Sequence, residues 1–262
     1  MPSKKPDPSK AQQADAKRAV MQRAEADESA VRAEVIATAL AMSRRNLSPG
    51  RSGNVSSRFD GGMLITPTGV AYEELSPADI VFVGRDGAAS RGGLKPSSEW
   101  RFHLSAYAAR SDMNAVVHAH SLHATVLACA HRPIPAFHYM VAVAGGMDVP
   151  LVPYAPFGTE ELARHVAGGL ASRNACLMAN HGQIALGSTL ASALELAAEV
   201  EVLAEQYFKV LLLGAPHVLD AAQMDDVLRR FQSYGQNAQS QAAEGDAAPA
   251  TRPRSGRSSP KV

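Results

Sequence analysis

The sequence predicts one mixed α/β domain, a sheet with strands of both directions covered by helices, and three observations carry that reading. A chain of 262 residues with 46% hydrophobic content supports one sizeable core and is short for two. Its first half carries short apolar runs separated by tight-turn residues, the pattern of strands joined by turns. Its second half alternates apolar strand-like runs with stretches of helical spacing. No internal repeat is present.

The elements follow in order. Residues 1–27 are rich in Lys, Asp, Pro and Ala and are expected to be a disordered extension, because they cannot bury enough apolar surface to offset the entropy of ordering. The folded domain is expected over 28–235. Ser29 to Leu47 places Val31, Val35, Ile36, Leu40 and Met42 at roughly helical spacing, an amphipathic opening helix that NLSPGRSGN breaks. VSSRF, MLIT and DIVFV read as strands, separated by Asp60-Gly61-Gly62 and TPTG and followed by the turn Arg85-Asp86-Gly87. Ser97 or Ser98 is expected to cap a helix running to about Arg110. The strand AVVHAH and a helix from Ser121 to Ala130 come next. VPLVPY then reads as a strand, FGTEELARHVAGGLAS as a helix, and ACLMAN and QIALG as strands either side of His181-Gly182. Helices over Leu190–Leu213 and Asp220–Tyr234 complete the domain, and the unpatterned run 236–262 reads as a disordered tail.

Composition narrows the function. With 26 basic and 25 acidic side chains and a net charge of +1, no global field attracts nucleic acid or an anionic membrane. Cys129 and Cys176 lie in apolar runs and read as small buried thiols, which suits a reducing cytoplasm. The opening MPSKKPDPSK has no apolar leader core, and no run approaches the ~18 apolar residues of a membrane span. A cytoplasmic protein with a small-molecule partner is expected.

The chemistry gathers on histidines. His118 and His120 end an apolar strand one residue apart, so their side chains share a face. His181 ends another apolar run and precedes Gly182, where the missing side chain permits close approach. Three imidazoles leave a coordination position open, as catalytic zinc sites do. His103, His131, His165 and His217 read as surface or helix residues, whereas His123 either orients a ligand, binds substrate or packs. Glu99, directly after Ser97 and Ser98, is either a capping glutamate or a proton-transfer base beside the metal. Gly53-Asn54, Thr68-Gly69 and Ser97-Ser98 are each an ordinary turn or cap, but together they offer backbone N–H groups and small hydroxyls to an anion such as phosphate.

GNVSSRF, MLITPTG, PSSEWRFH, AVVHAHSLHAT, IPAFHYM, AGG, PYAPFGT, NHGQIA and EVEVLAEQYFK, in this order, resemble the class II aldolase/adducin family, and within it the L-fuculose-1-phosphate aldolase type. The likeness spans about Val31 to Tyr234. It implies a three-layer α/β domain with a mostly antiparallel central sheet, in a homotetramer with active sites at subunit interfaces. It implies zinc held by His118, His120 and His181, with Mn2+ or Co2+ as alternative ions. Glu99 would be the general acid/base and complete the resting coordination sphere. Gly53, Asn54, Thr68, Gly69, Ser97 and Ser98 match substrate-phosphate positions. Tyr139 matches a tyrosine that reaches a neighbouring subunit's site to protonate the aldehyde oxygen, and Phe157 and Tyr234 match residues of the aldehyde pocket. Arg51 departs from the family, standing where a small hydroxyl residue is usual.

The activity this implies is reversible cleavage of a ketose 1-phosphate to dihydroxyacetone phosphate and an aldehyde. L-Fuculose 1-phosphate and the 5-deoxy and 5-methylthio ribulose 1-phosphates share the atoms the metal reads. The alternatives are an L-ribulose-5-phosphate 4-epimerase-like enzyme, which usually carries Asp where Glu99 stands, a sugar-phosphate dehydratase, and a non-catalytic adducin-like module.

Overall fold

A computed structural model describes residues 27–49, 52–89 and 93–232. The expected extension and tail lie outside the described residues, save residue 27, which already belongs to the first helix; Arg51 and Tyr234 lie outside them too.

Helix α1 (27–44) buries Val35, Ala39 and Met42 and leaves its opposite face to solvent, the stripe its spacing predicts. Strands β1 (Asn54–Phe59), β2 (Gly62–Ile65) and β3 (Val81–Val83) follow as an antiparallel set. Helix α2 (Trp100–Ala109) leads into β4 (Ala115–Ala119) and α3 (Leu122–Cys129). A small pair, β5 (Ile134–Pro135) and β6 (Asp148–Val149), flanks a 3-10 helix at Tyr139–Ala144. Then come β7 (Leu151–Val152), α4 (Glu160–Leu170), β8 (Ala175–Met178), β9 (Gly182–Gly187), α5 (Leu190–Leu213) and α6 (Ala221–Gln232).

The main sheet has seven strands in the order β3-β2-β1-β4-β9-β8-β7. Every pair is antiparallel except β7 with β8, whose connection through α4 is the crossover that parallel neighbours need. Strand alternation sorts side chains into two layers. Val55, Leu64, Ala115, Val117, Leu177 and Ala185 pack with α1, α3 and α5. Met63, Ile65, Val116, Cys176, Ile184 and Leu186 pack with Phe102 and Ala106 of α2 and with Leu162 and Val166 of α4. The mixed three-layer α/β domain is therefore as expected. His118, two residues after Val116, faces the α2 and α4 side.

Several local expectations are corrected. Asp79 and Ile80 precede β3, because Ser76 and Asp79 close a capping box around the 3-10 turn Pro77–Asp79, with Asp79 Oδ2 accepting from the Ser76 N–H at 2.8 Å. VPLVPY is not one strand: Pro150, which has no N–H, divides it into β6 and β7 in different sheets. Neither Ser97 nor Ser98 caps α2, whose N-cap position is Glu99. Cys176 is buried, but Cys129 ends α3 on the exposed side, so its apolar neighbours did not fix its burial. Among the described residues, no helix is long and apolar enough to cross a membrane.

Candidate metal centre and active site

Four chain segments converge on one point. In the antiparallel register His118 lies between Asn54 of β1 and Ile184 of β9, so Asn54 and His118 share the face that looks at α2. His120 follows just beyond the strand end. His181 sits in the tight turn between β8 and β9, where Asn180 adopts a left-handed φ of 55°, a conformation Asn tolerates better than most residues. Gly182 is needed next. A Cβ there would stand 2.5 Å from the Ala119 carbonyl oxygen and 3.0 Å from the His120 ring.

The ring centroids of His118, His120 and His181 are 4.8 to 4.9 Å apart with steep interplanar angles, so the three imidazoles converge edge-on. Glu99, freed from capping, spans two of them: Oε2 is 3.2 Å from His118 Nε2, and Oε1 is 2.9 Å from His181 Nε2. His118 Nε2 and His120 Nε2 are 3.0 Å apart. All four ligand atoms lie within 4.8 Å of one another. Bonds of ~2.0–2.1 Å in a tetrahedron put ligand atoms ~3.3–3.4 Å apart, close to the short separations here.

Protonation supports the same reading. His118 Nδ1 lies 2.7 Å from the Gln183 backbone carbonyl oxygen, which can only accept, so Nδ1 carries a proton and Nε2 is the nitrogen turned to the cluster. Burial, reinforced by the charges of His118 and His181 against the pull of Glu99, pushes His120 down to about 3, so it is a neutral donor at ordinary pH. Burial alone would raise the Glu99 carboxyl, but the charges and hydrogen bonds of His118 and His181 outweigh it and hold Glu99 well below the carboxylate range. An ion in the cluster would take the place of the Nε2 protons, and three imidazole nitrogens with an ionised carboxylate are the donor set of a divalent first-row ion, which these residues fit.

A cavity of about 380 Å³ opens beside the cluster, lined by Glu99, His120 and His181. Gly53, Asn54, Thr68, Gly69, Ser97 and Ser98 all line it as well. Two backbone bonds, Thr68 N–H to Lys95 O at 3.1 Å and Ser97 N–H to Thr66 O at 3.1 Å, zip their loops together. Gly53 has φ 101°, and a Cβ on it would meet the His118 carbonyl oxygen at 2.6 Å. His118 itself is fully buried behind the cavity wall.

The other predicted positions divide. Phe157 is 69% exposed and stands at the cavity's edge. Tyr139 is 51% exposed and lies away from this cavity, in a cleft with Val227, Arg230 and Phe231. His123 makes no contact with the cluster; its Nδ1 is 2.9 Å from Glu201, which also accepts the N–H groups of His123 and Ala124 and so caps α3. His131 and His217 are exposed and His165 is half-buried. His103 is on α2 but fully buried. Tyr72 and Tyr154 line the cavity unforeseen; the Tyr72 hydroxyl donates to the Gly53 carbonyl at 2.8 Å, and burial pushes its phenol up to about 12. No spacing or motif flags a lone tyrosine in VAYEELS.

Fold and donor set together define an α/β domain with a His/Glu cluster that could hold a metal ion. Residues 33–208 match the class II aldolase and adducin N-terminal domain, and the chain belongs to that family. It is 51% identical over 210 residues to a 5-methylthioribulose-1-phosphate/5-deoxyribulose-1-phosphate aldolase of Rhodospirillum rubrum, covering 80% of this chain and 95% of that one. It is 50% identical over 203 residues to an L-fuculose phosphate aldolase of Escherichia coli, covering 77% and 94%. Among solved structures, an L-fuculose 1-phosphate aldolase superposes with a TM-score of 0.74 at 40% identity, over 77% of this chain and 96% of that one.

Proposed function

We propose that this protein is a zinc-dependent aldehyde-lyase that reversibly cleaves a ketose 1-phosphate to dihydroxyacetone phosphate and an aldehyde. The observation that carries the reading is the position of Glu99, an ionised carboxylate against two imidazoles in a cavity whose other wall, among the described residues, is uncharged and rich in N–H and hydroxyl donors. Zinc, when bound by His118, His120 and His181, supplies the Lewis acid that polarises the ketose carbonyl and hydroxyl oxygens. Asn54, Thr68, Gly69, Ser97 and Ser98 receive the phosphate through neutral donors, with Gly53 giving it room. Breaking C3–C4 leaves the bond's electron pair on C3, and the C4 hydroxyl loses its proton as it becomes the aldehyde. Glu99 delivers a proton to C3 and, in the synthetic direction, removes one. Tyr139 of a neighbouring subunit returns the proton to the aldehyde oxygen in synthesis, and Phe157 and Tyr234 border the aldehyde.

Residues 28–235 form the catalytic unit of a cytoplasmic homotetramer. The names of the relatives support two aldehyde products, one from L-fuculose 1-phosphate and one from 5-deoxy- or 5-methylthioribulose 1-phosphate. Assaying dihydroxyacetone phosphate release across these substrates, with and without chelator, tests the reading. Release from at least one, abolished by chelator and restored by zinc, is expected; release from none would sink it. Glu99→Gln should retain zinc yet lose exchange of the C3 proton of dihydroxyacetone phosphate with solvent.

A further inference from the structure

We propose that His103 is a positioning residue of this site, holding the Asn54 side chain with its amide nitrogen toward Glu99. The inference rests on the reading of Glu99 as the proton carrier and adds to it a buried chain of four side chains behind that carboxylate.

The chain's proton positions follow from one fact. An ionised carboxylate only accepts, so the Asn54 atom 2.9 Å from Glu99 Oε2 is the amide nitrogen. The opposite end of that planar amide is then its oxygen, which lies 2.5 Å from His103 Nε2. An acceptor there requires the proton on Nε2. In a neutral imidazole Nδ1 is then the acceptor, and the Ser56 hydroxyl, 2.7 Å away, donates to it. The Tyr107 hydroxyl, 2.9 Å from Ser56 Oγ, donates in turn to Ser56. Every donor points toward Glu99, so each bond polarises the next in the same sense.

Two other proton arrangements are disfavoured. Flipping Asn54 would set its carbonyl oxygen against the carboxylate. Doubly protonating His103 would place a charge in a site with no solvent exposure, and burial, aided by the charge of His118, pushes this imidazole down to about 3 despite the nearby Glu99.

Asn54, Ser56, His103 and Tyr107 are all buried within the apolar layer that holds Phe102 and Val116. Burying hydroxyls, an amide and an imidazole there stabilises less than a well-packed apolar residue would. The chain meets the cavity at Asn54, which lines it, and acts there on Glu99, the carboxylate that Asn54 contacts. Losing a hydrogen bond to a charged group is worth about 1.5–3 kcal/mol, about a 10- to 100-fold change in a rate that depends on it.

The experiment uses the zinc-loaded full chain and follows solvent exchange of the C3 proton of dihydroxyacetone phosphate. His103→Leu is expected to lower exchange about 10- to 100-fold while zinc affinity, measured by chelator competition, stays within about threefold. His103→Gln, whose amide reaches Asn54, is expected to restore most of the rate. In an Asn54→Ala background, His103→Leu is expected to have no further effect, because its action passes through Asn54. His103→Asn, polar but too short to reach, replaces His103→Leu if the latter does not fold, with the same expectations. Ring 15N spectra of the metal-free wild type at about pH 7 are expected to show neutral His103 protonated on Nε2. Wild-type exchange in His103→Leu, an equal loss in the Asn54→Ala background, no rescue by His103→Gln, or a proton on Nδ1 would each overturn the inference. Absence of exchange in the wild type would instead overturn the aldolase reading itself.

Discussion

Replacing Gly182 by Ala should damage the proposed metal site through the backbone, without substituting a ligand. The added Cβ would meet the Ala119 carbonyl oxygen at 2.5 Å, a shortfall of 0.9 Å against the 3.4 Å where ordinary contact begins, and the His120 ring at 3.0 Å, a shortfall of 0.4 Å. The ring can pivot by that smaller amount. The carbonyl cannot, because Ala119 is paired with Gln183 in the β4–β9 ladder. Relief therefore requires β4 and β9 to part, moving His118 and His120 away from His181. Overpacking of this kind costs about 1–3 kcal/mol of stability. Disturbing the support of metal ligands typically weakens affinity about 10- to 100-fold. Urea unfolding of metal-free protein reads the first quantity and chelator competition for zinc reads the second. Gly168→Ala in α4, where a Cβ meets nothing within 4 Å, is the control and should stabilise by about 0.4–1 kcal/mol. If Gly182→Ala bound zinc within about threefold of wild type and unfolded at the same urea concentration, the steric account of this turn would be wrong.

Three further outcomes are expected. In the metal-free protein His103 is held down to about 3, whereas in the unfolded chain it titrates near about 6.5, so the unfolded state binds more protons between these values and stability falls as pH falls through that window. Its share of the loss from about pH 7 to about pH 5 is about 2 kcal/mol, and urea unfolding of His103→Gln should lack it. Chelator should lower the melting temperature of protein purified with zinc, since free zinc at about 100 times its dissociation constant stabilises by about 2.7 kcal/mol; an unchanged melting temperature would argue against metal in this cluster. Thr189→Ala removes the oxygen that accepts the Ser192 N–H at 3.1 Å at the start of α5 and should cost about 1 kcal/mol in chemical denaturation without altering zinc affinity.

What the sequence made legible, it did through periodicity and local turn chemistry. Val116 and His118 alternate with Val117 and Ala119, so the face shared by His118 and His120 can be read from spacing alone. The break at Pro150 was equally written in the residue type, yet the apolar run around it outweighed it. Other features depend on contacts far along the chain. Glu99 is an ordinary capping residue by position, and only the approach of His118 and His181 takes its carboxylate elsewhere. His103 is buried because Asn54 and Ser56 on β1 face it, a pairing 49 and 47 residues distant. Cys129 shows the converse: an apolar sequence neighbourhood says little about which side of a short helix is covered.

The placement of the three imidazoles has a kinetic side. His118 lies on β4, an inner strand paired on both edges, and His120 and His181 sit at strand ends beside it, whereas the cavity's remaining wall comes from the connecting segments at Gly53, Thr68-Gly69 and Ser97-Ser98. Local opening begins where few backbone pairs and little apolar contact resist it, and the middle of a sheet opens last. An ion held by these imidazoles and a ligand at the rim would thus meet parts of the molecule that open at different rates. Exchange of a ligand at the cavity rim would then proceed through small openings, while release of a bound ion would wait on rarer, larger ones.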